Sequence, residues 1–130
     1  MASTLPGTEF PLFAESAAFD SVQAELRERG LGDGLPLVPP TERRLTAMLN
    51  GVTEADTVRG YLPPLMGELR ADALAYQCVL AGAPIGSMSV ILTALEACLE
   101  PDFNLLGITT TTGTPAVAMV VHGPIASALG

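Results

Sequence analysis

Three prolines within residues 32–41 constrain the fold of this chain more than any other feature of its sequence. Proline fixes its own φ, removes a backbone donor and disfavours helix for the residue before it. The pair Asp33-Gly34 is typical of a turn, and Thr41 suits the N-cap of a following helix. We therefore expect a turn, a stiff extended segment and a helix start, with the extended segment forming a wall of a binding site or of an interface.

The composition favours one domain with more apolar surface than a small monomer buries. The chain has 130 residues, of which 48% are hydrophobic and 15% are charged, whereas a charged share of about 25% is usual. Monomers seldom expose large apolar patches, so we expect an obligate subunit. Residues 1–15 are expected to form an extended arm, and residues 16–130 a single α/β domain that is incomplete alone.

The charge pattern argues against several classes of partner. The formal net charge is −8, with six Arg and no Lys, so no basic stripe is present for nucleic acid. No apolar run approaches the roughly 18 residues of a membrane span. Glu9 and Glu15 precede the first Arg, unlike the order in a signal peptide. We expect no nucleic acid, no membrane and a cytoplasmic location, and the all-arginine cation set is typical of a GC-rich bacterial genome.

Apolar residues at helical spacing predict four helices before residue 100. The expected helices run from the candidate N-cap Ser16 to Gly30, from the N-cap Thr41 to Leu49, from Ala71 to Ala81, and from the N-cap Ser87 to Leu99. The last of these is apolar around most of its circumference, which predicts burial on more than one side.

Two β-prone stretches follow, at residues 103–112 and 116–122, and the second is almost continuously apolar. Such strands between helices predict an α/β or α+β fold with a small sheet of buried short strands covered by helices. Residues 125–129 are typical of the first turn of another helix. Either the chain is cut here or a second polypeptide completes the fold, and we expect the latter.

The threonine run at residues 109–112 has two interpretations. Its hydroxyls and backbone N–H groups could hold a carboxylate or phosphate, because open α/β sheets bind ligands at strand ends. It could equally be a β-prone strand entering an ordinary turn at Gly113. No P-loop lysine follows, so nucleotide binding of that type is excluded.

His122, Asp33 and Arg43 are the other candidates for chemistry. His122 is the only histidine; a structural role is the commoner one, but a titratable ring after a strand also suits acid–base catalysis. Asp33 suits a turn or a general base. Arg43 lies with Arg44 in a first helical turn, where a cation is unfavourable, which favours pairing with a carboxylate of a partner or ligand.

The residues indicate no metal and leave any cofactor unknown. A lone histidine without HxH or Cys/His spacing does not make a metal site. Cys78 and Cys98 lie among apolar neighbours and form no CxxC. We interpret them as small buried hydrophobic residues, since a nucleophilic thiol needs a base or cation within reach and neither has one within a helical turn.

Several motifs together resemble an uncharacterised bacterial family often encoded beside small thiol or selenol proteins with a UGSC motif. The similarity covers about residues 10–130 and is carried by residues 32–45, by Met48-Leu49, by Pro101-Asp102-Phe103-Asn104-Leu105-Leu106-Gly107, by the threonine run and by His122-Gly123-Pro124-Ile125. Asn104, within these motifs, joins the expected substrate contacts.

The chain departs from the family pattern in two ways. Family members commonly carry Cys after the Ala-Gly that ends the middle helix, whereas Ala83 stands there in this sequence. Members are also longer and continue into a Gly- and Asn-rich half, so this chain resembles only their N-terminal portion. The resemblance implies a second polypeptide that carries the missing half.

Two hypotheses follow. In the first, the chain is the small subunit of a heteromeric bacterial enzyme that acts on a small, anionic metabolite at a site shared with the partner chain. The residues assigned to that site are His122 and Asp33 for catalysis and Thr110, Thr111, Thr112, Arg43 and Asn104 for substrate binding. In the second, the chain is a non-catalytic subunit that supports a catalytic partner. The sequence holds no complete catalytic set, as both hypotheses expect.

Overall fold

Helices dominate the part of the chain that the computed structural model describes, residues 3–4 and 10–129. The helices are α1 (Phe19–Glu28), α2 (Glu42–Met48), α3 (Ala71–Leu80), α4 (Met88–Cys98), α5 (Leu105–Thr110) and α6 (Pro124–Leu129), with a short 3₁₀ turn at Pro101–Phe103.

The strands form two small antiparallel pairs. β1 (Ser3–Thr4) pairs with β2 (Pro11–Leu12), and β3 (Gly60–Leu62) pairs with β4 (Gly67–Leu69). In the second pair Gly60 lies opposite Leu69, and a Cβ on Gly60 would collide with the side chain of Leu99. The expectation of a small fold of the α/β or α+β class is thus confirmed, and the arrangement is α+β.

The core is centred on α3, which packs against α2 on one side and α4 on another. Seven of its ten residues are buried, including Tyr76 and Val79. Val22 and Leu26 of α1 and Leu45 and Met48 of α2 complete this core. A helix that is buried around most of its circumference has to be apolar on nearly every face. The sequence of α3 meets this requirement.

The proline-rich segment at residues 32–41 binds three elements together. Its Val38 N–H donates to the Leu80 carbonyl at the end of α3, at 3.0 Å. The Gln23 side chain of α1 accepts from the Leu37 N–H and donates to the Leu37 carbonyl, both at 2.9 Å. Thr41 then caps α2, its hydroxyl accepting from the Arg44 N–H at 3.3 Å, as predicted.

The N-terminal arm packs on the core of its own chain where it is described. Pro11 and Phe13 are buried, and the Phe13 N–H donates to the Pro40 carbonyl at 2.9 Å. The Tyr76 hydroxyl donates to the Pro11 carbonyl at 3.0 Å, and the Phe10 ring stacks on Tyr76 at 4.7 Å. The rest of the expected arm, residues 1–2 and 5–9, lies outside the described residues.

The expected helices are confirmed, with corrections at their starts. α1 begins after Ala18 rather than after Ser16, and no side chain caps it. Phe19, expected on the buried face, is half exposed. Ser87 precedes α4 as predicted, but its hydroxyl donates to the Pro84 carbonyl at 2.8 Å instead of capping the helix.

Both expected C-terminal strands are wrong. Residues 103–112 contain helix α5, because Asn104 adopts a left-handed φ of 53° and its side chain accepts from the Gly107 N–H at 3.2 Å. Thr110 is accommodated in this helix because its hydroxyl donates a hydrogen bond to the Leu106 carbonyl. Residues 116–122 are extended, but they pair with no strand in the described chain and are mostly exposed.

A substitution in α1 tests the core. Leu26 is 0% exposed, so Leu26→Ala should lower the free energy of unfolding by about 2–5 kcal/mol, since it removes buried methyl groups and leaves a cavity. Urea denaturation measures the change. Leu35 is 69% exposed, and Leu35→Ala should change stability by less than about 0.5 kcal/mol. Equal losses in the two variants would contradict this core.

Candidate functional site

A cleft lies between α2 and the turn that follows α3. We call it the α2–α3 cleft; its volume is about 250 Å³ and its lining residues are Val38, Arg43, Arg44, Ala47, Met48, Val79, Gly82, Ala83 and Ile85. Gly82 allows the turn because its φ is +70°, a left-handed conformation that glycine adopts without strain. The cleft therefore combines an apolar surface with two arginines brought in by the Thr41 cap.

Several features noted in the sequence meet at this cleft. Val38 comes from the proline-rich segment, which thus forms one wall, as one interpretation of that segment expected. Arg43 is one of the expected substrate contacts. Ala83 also lines the cleft; it stands at the position where the family that the chain resembles commonly carries Cys.

Arg43 is already paired within the chain. Its Nη2 lies 3.0 Å from Oε2 of Glu15, and both side chains are exposed at the edge of a shallow hollow beside Phe13, Thr41 and Thr46. The hydrogen bond from Arg43 lowers the pKa of Glu15 below its ordinary value, and a hydrogen bond from Thr41 lowers it further by a smaller amount. The same hydrogen bond raises the pKa of Arg43.

Arg44 has a different environment. Its side chain is half-buried, and Nη1 donates to the Pro39 carbonyl at 2.8 Å. Among the described residues, no carboxylate lies within ion-pair distance of it. Arg44 thus presents a positioned positive charge at the α2–α3 cleft.

The other expected site residues make local contacts. Asp33 accepts from the Leu35 N–H at 3.0 Å, Asn104 caps α5, and the Thr111 hydroxyl accepts from the Gly113 N–H at 3.2 Å. Thr110 bonds the Leu106 carbonyl, and Thr112 and His122 are exposed. No hydrogen bond or ion pair of the described chain joins any two of the seven expected site residues.

A second hollow lies beside the start of α5. Its volume is about 310 Å³, and Asn104 and Leu106 line it together with Tyr61, Met66 and Leu99 among others. Tyr61, Met66 and Leu106 are exposed large hydrophobic or aromatic side chains. This surface is suited to an apolar contact rather than to chemistry.

Arg70 and Asp72 form a partly buried ion pair that the sequence analysis did not predict. Nε of Arg70 donates to Oδ1 of Asp72 at 3.0 Å, Nη2 donates to Oδ2, and the Ala73 N–H donates to Oδ1 at 2.7 Å. Asp72 raises the pKa of Arg70 chiefly through this hydrogen bond. Both carboxylate oxygens are engaged, so the pair stabilises the start of α3, directly after β4, and is structural.

The cysteines are buried, as the sequence analysis expected. Cys78 is 5% and Cys98 is 8% exposed. Burial raises the pKa of the Cys78 thiol, which disfavours the reactive thiolate form. The expected interpretation as small hydrophobic core residues is confirmed.

The ion pair of Glu15 gives a pH-dependent prediction. A carboxylate with a lowered pKa stabilises the fold above its unfolded pKa, about 4.3, and loses this contribution as the pH falls through the lowered value. Arg43→Gln should raise the pKa of Glu15 toward its ordinary value. A ¹³C NMR titration of the Glu15 carboxyl measures it, and Arg27→Gln, a distant change of the same charge, is the control. An unchanged pKa in Arg43→Gln would contradict the pairing.

No group of three His, Cys, Asp or Glu side chains that could hold a metal ion occurs within the described residues. Within the same part of the chain, no helix has the length and apolar character needed to cross a membrane. No family model matches the sequence, and no curated protein and no solved structure matches it either.

Proposed function

We propose that this chain is a cytoplasmic subunit of a heteromeric bacterial enzyme that acts on a small anionic metabolite. In this proposal a second polypeptide covers residues 103–129, here called the C-terminal segment, and shares the active site with it. The resemblance to a longer family, of which this chain would be the N-terminal portion, supports the same arrangement.

The distribution of burial carries the proposal. No residue from 99 to 129 is buried, whereas every element of the core lies before residue 99. The C-terminal segment nevertheless carries large exposed hydrophobic side chains: Phe103, Leu106, Val117, Met119, Val120 and Ile125. An apolar surface of this kind is typical of a protein interface.

Charge and backbone also support an interface. Residues 103–130 contain no Asp, Glu, Lys or Arg, and depletion of charge is a feature of interface cores. The backbone N–H and C=O groups of residues 116–121 have no partner in the described chain. An extended segment with unpaired backbone groups can add as a strand to the edge of a partner sheet.

The net charge favours a different polypeptide over a second copy. All of the acidic side chains and all of the arginines precede residue 103, and they sum to −8. Two copies joined through their C-terminal segments would bring two strongly acidic bodies together, which is unfavourable. A partner of lower negative charge avoids this repulsion.

A non-catalytic role for the subunit is the second candidate, and a specific observation favours it. Asn104, Thr110, Thr111 and Asp33 all use their side chains on nearby backbone groups. In that role the C-terminal segment serves only as an interface, and the chemistry belongs to the partner.

Binding between this chain and its proposed partner is tested with the product of a neighbouring reading frame. That product should begin with the Gly- and Asn-rich sequence found in the second half of the longer family members. The two chains should co-elute after co-expression. Val120 is 84% exposed, and Val120→Asp would place an unpaired carboxylate in the interface, which costs about 2 kcal/mol or roughly thirtyfold in Kd. Calorimetry of the separately purified chains measures the change.

Leu35→Asp provides the matched control, since Leu35 is also an exposed leucine-sized side chain but lies outside the C-terminal segment. It should leave Kd unchanged. The proposal would be contradicted if the wild-type chain remained a monomer in the presence of the candidate partner. It would also be contradicted if Val120→Asp and Leu35→Asp weakened binding to the partner equally.

Activity of the assembled complex separates the two roles. Thr111→Ala and His122→Ala should each lower turnover if the segment contributes to the active site, and loss of a general acid or base costs about a hundredfold or more. Unchanged turnover in both variants, with assembly intact, would leave only the non-catalytic role.

A further inference from the structure

Arg44 supplies the one cation of the α2–α3 cleft that forms no ion pair with a carboxylate of the described chain, although Glu15 is near enough to interact with it electrostatically. Arg43 pairs with Glu15, whereas the ion pairs of the described residues do not include Arg44. Only Nη1 of Arg44 is used, on the Pro39 carbonyl. Since a guanidinium carries five N–H groups in a fixed fork, further donors of Arg44 remain for a ligand oxygen.

The rest of the cleft is apolar and of limited size. Val38, Met48, Val79, Ala83 and Ile85 supply its aliphatic surface. Its volume of about 250 Å³ lies near the lower end of the roughly 300–1,000 Å³ that is usual for small-molecule sites, so it suits a small ligand.

We infer that the α2–α3 cleft binds a short-chain carboxylate. The carboxylate accepts hydrogen bonds from Arg44 at the polar end, and the hydrocarbon chain lies against Val38, Met48 and Val79. A single guanidinium without a carboxylate in direct contact matches a monoanion, and a planar carboxylate matches the guanidinium fork. Burial of the hydrocarbon chain contributes about 0.8 kcal/mol per CH₂.

This site is independent of the partner chain. Its lining residues lie between Val38 and Ile85, and none belongs to the C-terminal segment. The inference therefore goes beyond the proposed function, and either can fail without the other.

Hexanoate is the probe, with hexan-1-ol as its uncharged counterpart. The full chain is labelled with ¹³C at the methionine methyl groups, and each compound is titrated while the Met48 signal is followed by NMR. Hexanoate should shift the Met48 signal saturably. Hexan-1-ol should bind at least about tenfold more weakly than hexanoate, because it lacks the carboxylate and a hydrogen bond to a charged group contributes about 1.5–3 kcal/mol.

Two variants and a control locate the contact. Arg44→Gln should weaken hexanoate about tenfold or more and leave hexan-1-ol unaffected, whereas Arg27→Gln, the same charge change on α1, should alter neither. Ala83→Leu should abolish binding of both compounds by filling the cleft. Because this variant retains Arg44, it tests the site even if Arg44→Gln does not fold. Equal affinity for hexanoate and hexan-1-ol, no Met48 shift, or wild-type binding by Ala83→Leu would each overturn the inference.

Discussion

The packing of α3 between α2 and α4 sets the position of most other elements. Tyr76 on α3 is fully buried, and it holds the N-terminal arm through its hydrogen bond to the Pro11 carbonyl. The carbonyl of Leu80 at the end of the same helix holds the proline-rich segment through Val38. The Arg70–Asp72 pair fixes the start of the same helix directly after β4. These contacts converge on one buried helix, and its residue Val79 lines the α2–α3 cleft.

The chain divides physically at about residue 99. Before it, buried apolar side chains, helix α2 with its Thr41 cap, and ion pairs make up the core. After it, no described residue is buried, and from residue 103 onward no side chain other than His122 can carry charge. The first part buries a cluster of apolar side chains and also leaves some exposed, such as Leu65 and Ile85, whereas the second part buries none and leaves Val117, Met119 and Val120 exposed. The proposal of a partner polypeptide follows from this division.

Local patterns predicted the helices well, because apolar spacing and caps such as Thr41 act over a few residues. They failed at residues 105–110, where β-branched threonines favoured a strand but the left-handed Asn104 and its bond to Gly107 started a helix. The α2–α3 cleft was not predictable, since Val38, Arg44 and Ala83 come together only through tertiary packing. The sequence analysis expected Arg43 to pair with a carboxylate of a partner or ligand, whereas it pairs with Glu15 in the N-terminal arm of its own chain.

Hydrogen exchange of the backbone amides of residues 116–121 tests the division most directly. In the isolated monomeric chain, these amides should exchange within about tenfold of the rate of an unstructured peptide, while those of α3 exchange far more slowly. In the complex with its partner, the same amides should become strongly protected as they pair with the partner. Protection equal to that of α3 in the isolated monomer would contradict the account, because the segment would then be stabilised by its own chain.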